Sequence, residues 1–147
     1  MFNFKSNKPN KELIKTNIYD VEDTIIIMGN CIPVMQPKGY EQLKKLSKNI
    51  YEICLEQTHM NMAVSKLAGM LRTGKINKII FATVDKSPHC VQLHYVSNEL
   101  KKIMNLEKIQ IENYVIVNNE LVKIEPDIIS LSKNLNELNK KIDKSDR

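Results

Sequence analysis

The stretch INKIIFATVDKSPHC, residues 76–90, contains the two features that decide how this chain folds. The first is the apolar run IIFATV, residues 79–84, which lacks the polar alternation of a half-exposed strand. Such a run is typical of a strand buried on both faces, and therefore of a parallel sheet. The second is a helix start, because Asp85 and Ser87 are capping residue types and Pro88 suits the first helical position.

A second apolar run, TIIIMG at residues 24–29, predicts another buried strand closer to the N-terminus. The leucine and isoleucine spacing of residues 40–57 then predicts one long amphipathic helix. Residues 61–73 predict a second helix, which begins at an Asn61 cap and ends at Gly74. We therefore expect two helices between the two buried strands.

The remainder of the chain predicts a helix, a hairpin and another helix. Residues 88–104 have the apolar stripe of a helix that packs on a sheet, and residues 113–124 alternate around Asn118 and Asn119 as in a tight hairpin. Residues 125–142 predict a final helix with apolar residues at 3-4 spacing: Ile128, Leu131, Leu135, Leu138 and Ile142. The order predicts an α/β fold: a small open, mostly parallel sheet with helices on both faces and a C-terminal β-hairpin plus helix.

The length of 147 residues suits one domain with a sizeable core. We predict a flexible N-terminal arm over residues 1–12, a single α/β domain over residues 13–142 and a polar tail over residues 143–147. The N-terminus lacks the apolar segment of a secretory signal. No apolar run approaches the ~18 residues of a membrane span. We therefore expect a cytoplasmic protein that does not enter a membrane.

The charge balance is basic, with 22 Lys and Arg against 17 Asp and Glu and a net charge of +5. A basic balance is compatible with nucleic acid or another anionic partner. Here Arg72 and Arg147 are the chain's arginines, and the other basic residues are lysines spread along the sequence. This distribution favours a solvated surface over a dedicated nucleic-acid site.

The cysteines point to a site at one edge of the sheet. Cys31, Cys54 and Cys90 are widely spaced and odd in number, which argues against a disulfide framework. Ligands of open parallel sheets bind beyond the carboxyl ends of the strands. If the two buried strands are neighbours, Cys31 and Cys90 converge there. Cys90 would be the third residue of its helix, where free N–H groups and the helix dipole favour a thiolate.

Histidines supply potential partners for these thiols. His94 follows Cys90 by four residues, so the two share a helical face, and imidazole could act as a base for the thiol or join it on a metal ion. Cys90 and His94 are therefore the catalytic candidates, and Asn30, Asp85 and Ser87 are the candidates for holding a cofactor or an anionic ligand near the helix start. The candidate metal ligands are Cys31, Cys54, His59, His89, Cys90 and His94.

These residues predict a site that binds a small ligand or a transition metal, such as zinc or an iron–sulfur cluster, or that uses a reactive thiol in redox or nucleophilic chemistry. The sequence has no C-x-x-C knuckle and leaves open whether the protein is an enzyme. One alternative is an RNA-binding or regulatory module that acts through the basic surface. Another is an interaction subunit without catalysis, with the last helix as the seam of a homodimer.

Overall fold

The apolar runs form the centre of one open sheet in the computed structural model, which describes residues 10–142. The predicted polar tail and the first nine residues of the predicted arm lie outside the described residues. The strands are β1 (Lys11–Glu12), β2 (Asp23–Gly29), β3 (Asn49–Ile53), β4 (Ile76–Val84), β5 (Gln110–Val117) and β6 (Glu120–Ile124).

Helices occupy most of the connections between these strands. They are α1 (Ile32–Met35), α2 (Pro37–Leu46), α3 (Met60–Arg72), α4 (Pro88–Ile103), α5 (Pro126–Ser132) and α6 (Leu135–Lys141), and a 3-10 helix (Ile18–Asp20) precedes β2. Over residues 10–142, none of the helices has both the length and the apolar character needed to cross a membrane.

The strand order across the sheet is β1-β3-β2-β4-β5-β6. All neighbours are parallel except β5 and β6, which form an antiparallel hairpin. Asn118 and Asn119 adopt positive φ angles in its turn, as the Asn-Asn pair predicted. The predicted class, a mostly parallel open sheet with a C-terminal hairpin and helices on both faces, is confirmed.

Alternation along the strands creates two cores, one on each face of the sheet. On one face, Ile27 and Phe81 pack against α3 and α4. On the other face, Met28 and Ile80 pack against α1 and α2. Because both faces of β2 and β4 are covered, these strands are apolar at nearly every position, which is the pattern that the sequence shows.

The long helix predicted over residues 40–57 is wrong in its second half. α2 ends at Leu46, and residues 49–53 form the strand β3 instead. The Ser47 hydroxyl donates to the Thr24 carbonyl at 2.6 Å and accepts from the N–H of Asn49, which ties the chain to the start of β2. Adjacent apolar residues occur both in strands that are buried on two faces and in buried helices. The spacing of apolar residues alone therefore did not distinguish a strand from a helix here.

Two smaller predictions also need correction. Lys11 and Glu12, assigned to the arm, pair with β3 as an edge strand. The predicted last helix is two helices, because the chain leaves the helical conformation at Asn134. Ile129 is buried, whereas Leu135 is 76% exposed, so the 3-4 apolar pattern does not form one continuous docking face.

The direction in which strands are added to the sheet reverses between β2 and β4. From the carboxyl end of β2 the chain passes through α1 and α2 on one face to β3, and from the carboxyl end of β4 it passes through α4 on the opposite face to β5. The connections that leave β2 and β4 therefore diverge to opposite sides of the gap between these two strands. In open α/β sheets this divergence leaves a crevice at the carboxyl ends of the two strands, which is where ligands bind.

Candidate functional site

Cys31 and Cys90 meet at this crevice, as the sequence predicted. Met28 of β2 pairs with Ala82 of β4, so the two strands end at nearly the same level. Cys31 follows β2 by two residues, and Cys90 lies in the first turn of α4, the helix that follows β4. Their Sγ atoms are 3.7 Å apart. Two residues that are 59 positions apart in the chain thus form one pair of thiols.

Gly29 makes room for this pair. A Cβ atom at Gly29 would lie 3.2 Å from the Sγ of Cys90 and 3.7 Å from the Sγ of Cys31. The first distance is tighter than ordinary carbon–sulfur packing, so any larger residue would push against the sulfurs. The absence of a side chain at Gly29 therefore allows the two thiols to approach each other.

The two thiols have different surroundings. Burial raises the pKa of Cys31 to about 11, the neighbouring Cys90 adds to the rise, and Cys54 makes a smaller contribution. Cys31 is thus a protonated thiol at neutral pH. Cys90 is the third residue of α4, and its N–H donates to the Oγ of the capping Ser87 at 3.3 Å. A negative charge on Cys90 would face the positive end of the helix dipole.

Cys54 is the third thiol of the site, and the sequence misplaced it. The sequence predicted it on a helix, but it directly follows β3 and so stands at the same sheet edge. It lines the pocket that also contains Cys31 and Cys90, which has a volume of about 220 Å³. The Asn30 N–H donates to the Ile53 carbonyl at 3.1 Å and holds the turn after β2 against the end of β3.

Polar groups at the rim of this pocket, here called the thiol pocket, include several of the predicted residues. Asn30, Ser87 and His89 line it. Glu56, which the sequence analysis did not single out, approaches His89 with its Oε2 atom 3.9 Å from the imidazole Nε2. Asp85 is exposed and faces a different pocket, the one bordered by His94, so the structure separates it from the thiols.

His94 does not partner Cys90 in the structure, contrary to the prediction. Asn113 Nδ2 donates to His94 Nδ1 at 3.0 Å and to the Ser97 hydroxyl at 3.3 Å, and that hydroxyl donates to the His94 carbonyl. Because Nδ1 accepts, the neutral ring carries its proton on Nε2, which lies 2.8 Å from the Thr83 Oγ1. Both ring nitrogens are therefore used inside the fold.

Burial fixes the charge state of this histidine. His94 is 3% exposed, and desolvation lowers its pKa to about 4. A ring with this pKa and this tautomer is a poor general base for either Thr83 or a thiol at neutral pH. His94 instead links α4 to β4 and β5 through hydrogen bonds.

The structure does not bring the six candidate metal ligands together. His59 is exposed and caps α3, where its Nδ1 accepts from the N–H of Asn61, so Asn61 is not the cap that the sequence predicted. Within residues 10–142, no three or more Cys, His, Asp or Glu side chains are arranged to hold a metal ion. The thiols of Cys31, Cys54 and Cys90 share a pocket without forming a ready-made coordination shell.

Comparison with known protein families agrees with the α/β fold. The profile of a Rossmann-like domain family matches residues 21–146. The chain belongs to the Rossmann-like domain family. No curated protein and no solved structure is significantly similar to the chain.

This Rossmann-like domain differs from dinucleotide-binding domains of the same architecture at the turn after its first central strand. Those domains have a Gly-x-Gly-x-x-Gly fingerprint, whose second glycine lets the backbone approach a pyrophosphate. With the first glycine placed at Gly29, the second and third positions are Cys31 and Val34. A thiol thus stands where the fingerprint has a bare backbone.

The buried His94 makes the stability of the domain depend on pH. Its folded pKa of about 4 lies below the usual 6.5. The contribution of the neutral ring to the free energy of unfolding is therefore fully present above pH 6.5 and is lost as the pH falls towards 4. The shift corresponds to roughly 3 kcal/mol. Urea unfolding of the wild type and of H94Q at pH 7.5 and pH 4.5 measures the effect. We expect the wild type to lose more free energy of unfolding than H94Q does.

H89Q is the matched control, because His89 is exposed and its removal should leave the pH dependence of the wild type unchanged. The same pH dependence in the wild type and in H94Q would contradict a buried neutral imidazole. A proton NMR titration of the His94 ring provides a second, direct measurement.

Proposed function

We propose that this Rossmann-like domain carries out thiol–disulfide exchange with Cys31 and Cys90 as a redox couple. The observation that supports this function is the 3.7 Å contact between the two Sγ atoms at the ligand-binding edge of the sheet. Neither thiol is close in sequence to the other, so the fold itself assembles the pair. Cys54, in the same pocket, is available as a third thiol.

The distance is short enough for a disulfide to form with little movement. A disulfide bond is ~2.05 Å long, so each sulfur would move by about 0.8 Å from its present position. Rotation about the Cα–Cβ bonds of the two cysteines can supply such a shift. Cys31 is the N-cap residue of the one-turn helix α1 and is itself only partly buried.

The surroundings of the two thiols support different roles for them. Cys90 is the attacking group, since a thiolate there faces the N-terminus of α4. Cys31 is the resolving group, since its raised pKa keeps it protonated until the first step is complete. In the starting state the Cys31 S–H can donate to the sulfur of Cys90 across the 3.7 Å contact.

The reaction consumes one disulfide of the general form R–S–S–R′. The Cys90 thiolate attacks one sulfur, forms the mixed disulfide Cys90–S–S–R and releases R′–S⁻. Cys31 then loses its proton and attacks the Cys90 sulfur, which closes the Cys31–Cys90 disulfide and releases R–S⁻. The two cysteines lose two electrons and the substrate disulfide gains them. The proton of Cys31 ends on one released thiolate, and the proton that Cys90 gave to solvent when it ionised ends on the other.

A thiophilic metal centre is the second candidate function. Two thiolates bound to one tetrahedral zinc, with bonds of ~2.3 Å, stand about 3.8 Å apart, and the Cys31–Cys90 distance is 3.7 Å. Cys54 is the residue of the pocket that could become a third ligand. The residues 10–142 do not present a complete set of ligands, so this candidate needs a rearrangement that the disulfide couple does not.

Cysteine variants test the two roles in the exchange reaction. The reduced protein is mixed with a small disulfide, and the products are mapped by alkylation and peptide mass spectrometry. We expect the wild type and C54S to form the Cys31–Cys90 disulfide. C31S should accumulate the mixed disulfide on Cys90, because the second step is blocked, and C90S should leave both of its remaining thiols reduced on the same time scale. If Cys31 and Cys90 stay reduced in the wild type at equilibrium with oxidised dithiothreitol, the proposed function is wrong.

Substitution of Gly29 tests whether the contact itself matters. In G29A the new Cβ would press on the Cys90 sulfur, and overpacking of this kind costs about 1–3 kcal/mol. If this strain falls on the thiol pair, the equilibrium constant for the Cys31–Cys90 disulfide falls by roughly tenfold. Redox titration against dithiothreitol measures the constant.

G69A is the matched control for this measurement. Its Cβ would lie 3.3 Å from the Cγ2 of Ile18, a contact of similar tightness on α3. We expect G69A to keep the redox equilibrium of the wild type. An unchanged equilibrium in G29A would show that the two sulfurs do not depend on the space above Gly29.

Metal analysis separates the two candidate functions. We expect protein purified without oxygen to hold well under one equivalent of metal and to have Cys31 and Cys90 open to alkylation. A stoichiometric metal that protects the two thiols, or a sulfur-to-metal charge-transfer band that C90S removes, would establish the metal centre in place of the disulfide couple.

A further inference from the structure

The surface around the thiol pair favours one class of disulfide substrate over others. Beneath the thiols, the thiol pocket is lined by Ile53, Leu55 and Leu93. Met35 of α1 lines its side and is also 59% exposed, so it continues the apolar surface from the pocket to the outside of the molecule. Val34, the preceding residue, is 84% exposed. Two consecutive residues of α1, the second of which lines the pocket, thus expose apolar side chains.

The charge of the pocket points in the same direction. Among the described residues that line it, the ionisable side chains other than the cysteines are Glu56 and His89, and neither lysine nor arginine is present. Glu56 and His89 lie 3.9 Å apart at the rim. A ligand with carboxylates would lose water there without gaining a lysine or arginine partner. The chain as a whole is basic, so this local lack of cations is a property of the site.

We infer that the substrate of the thiol pair is a cystine in an apolar segment of a partner polypeptide, and that this segment docks on Val34 and Met35 of α1. The inference rests on the proposed function. A small disulfide would fit within the pocket of about 220 Å³ and would leave Val34 uncovered. A polypeptide segment would place its cystine at Cys90 and cover α1 with the side chains beside it.

The chemistry of α1 suits such a partner. Methionine is unbranched and polarisable, and exposed methionines adapt to partner surfaces of different shape. The one-turn helix follows Cys31 directly, so a segment that covers Val34 and Met35 is held within a few residues of the resolving thiol. Contact with α1 therefore places the mixed disulfide where Cys31 can attack it.

The test compares three disulfides in their reaction with the reduced protein. They are a peptide disulfide flanked by leucine and valine, 2-hydroxyethyl disulfide, which is small and neutral, and glutathione disulfide, which is anionic. Each second-order rate constant is divided by the rate constant of the same disulfide with free N-acetylcysteine, so that intrinsic reactivity cancels. We expect the normalised rate to be about tenfold higher for the apolar peptide than for either small disulfide, since docking buries at least one further apolar side chain.

A variant of α1 links the preference to the surface. V34D should lower the normalised rate of the apolar peptide about tenfold and leave that of 2-hydroxyethyl disulfide unchanged, because the small disulfide does not reach α1. I128D is the control, since Ile128 is 55% exposed on α5 and its change should not affect either rate. Circular dichroism of each variant confirms that the comparison is made between folded proteins.

The outcomes separate the substrate class from the proposed function. Equal normalised rates for all three disulfides, or an equal loss with peptide and small disulfide in V34D, would overturn the docking surface while the Cys31–Cys90 couple stands. A higher normalised rate with glutathione disulfide than with the apolar peptide would show that the site prefers an anionic disulfide. Failure of Cys31 and Cys90 to form a disulfide with any oxidant would remove the proposed function together with the inference.

Discussion

Parallel pairing of β2 with β4 is the constraint on which the rest of the molecule depends. The two strands are buried on both faces, and their register ends them at the same level of the sheet. The connections that leave them run along opposite faces, so a crevice opens between their carboxyl ends. Two turns of unrelated sequence therefore face each other, and each of them carries a cysteine.

Three thiols line this crevice. Dinucleotide-binding domains of this architecture need a glycine at the turn after their first central strand, so that the backbone can approach a pyrophosphate. Here the side chain of Cys31 stands at that position. Gly29 keeps the space that both sulfurs require, and Cys54 arrives from the neighbouring strand. The same fold-level crevice can thus serve a different chemistry, because the side chains at the strand ends, and not the sheet, determine what is bound.

A second group of polar side chains, centred on His94 one helical turn after Cys90, has a different role. His94 bonds to Thr83 and Asn113 in the interior, and the described structure leaves no buried side-chain nitrogen or oxygen without a partner. Such a network is stable only when every member is satisfied, which fixes one orientation of α4 on the sheet. Since α4 carries Cys90, the network also helps to position the Cys90 thiol.

The sequence by itself determined the fold class, the buried strands, the hairpin at Asn118 and the cap at Ser87, because each depends on local chemistry or on a clear apolar run. It also predicted that Cys31 and Cys90 converge, since the carboxyl ends of parallel neighbours share an edge. It could not distinguish the strand β3 from a helix, because a short apolar run that is buried on two faces fits both. For this reason it placed Cys54 on a helix, although the residue follows a strand. Only the tertiary structure decided the partner of His94: spacing along a helix places residues on one face, but the neighbouring strands determine which groups that face meets.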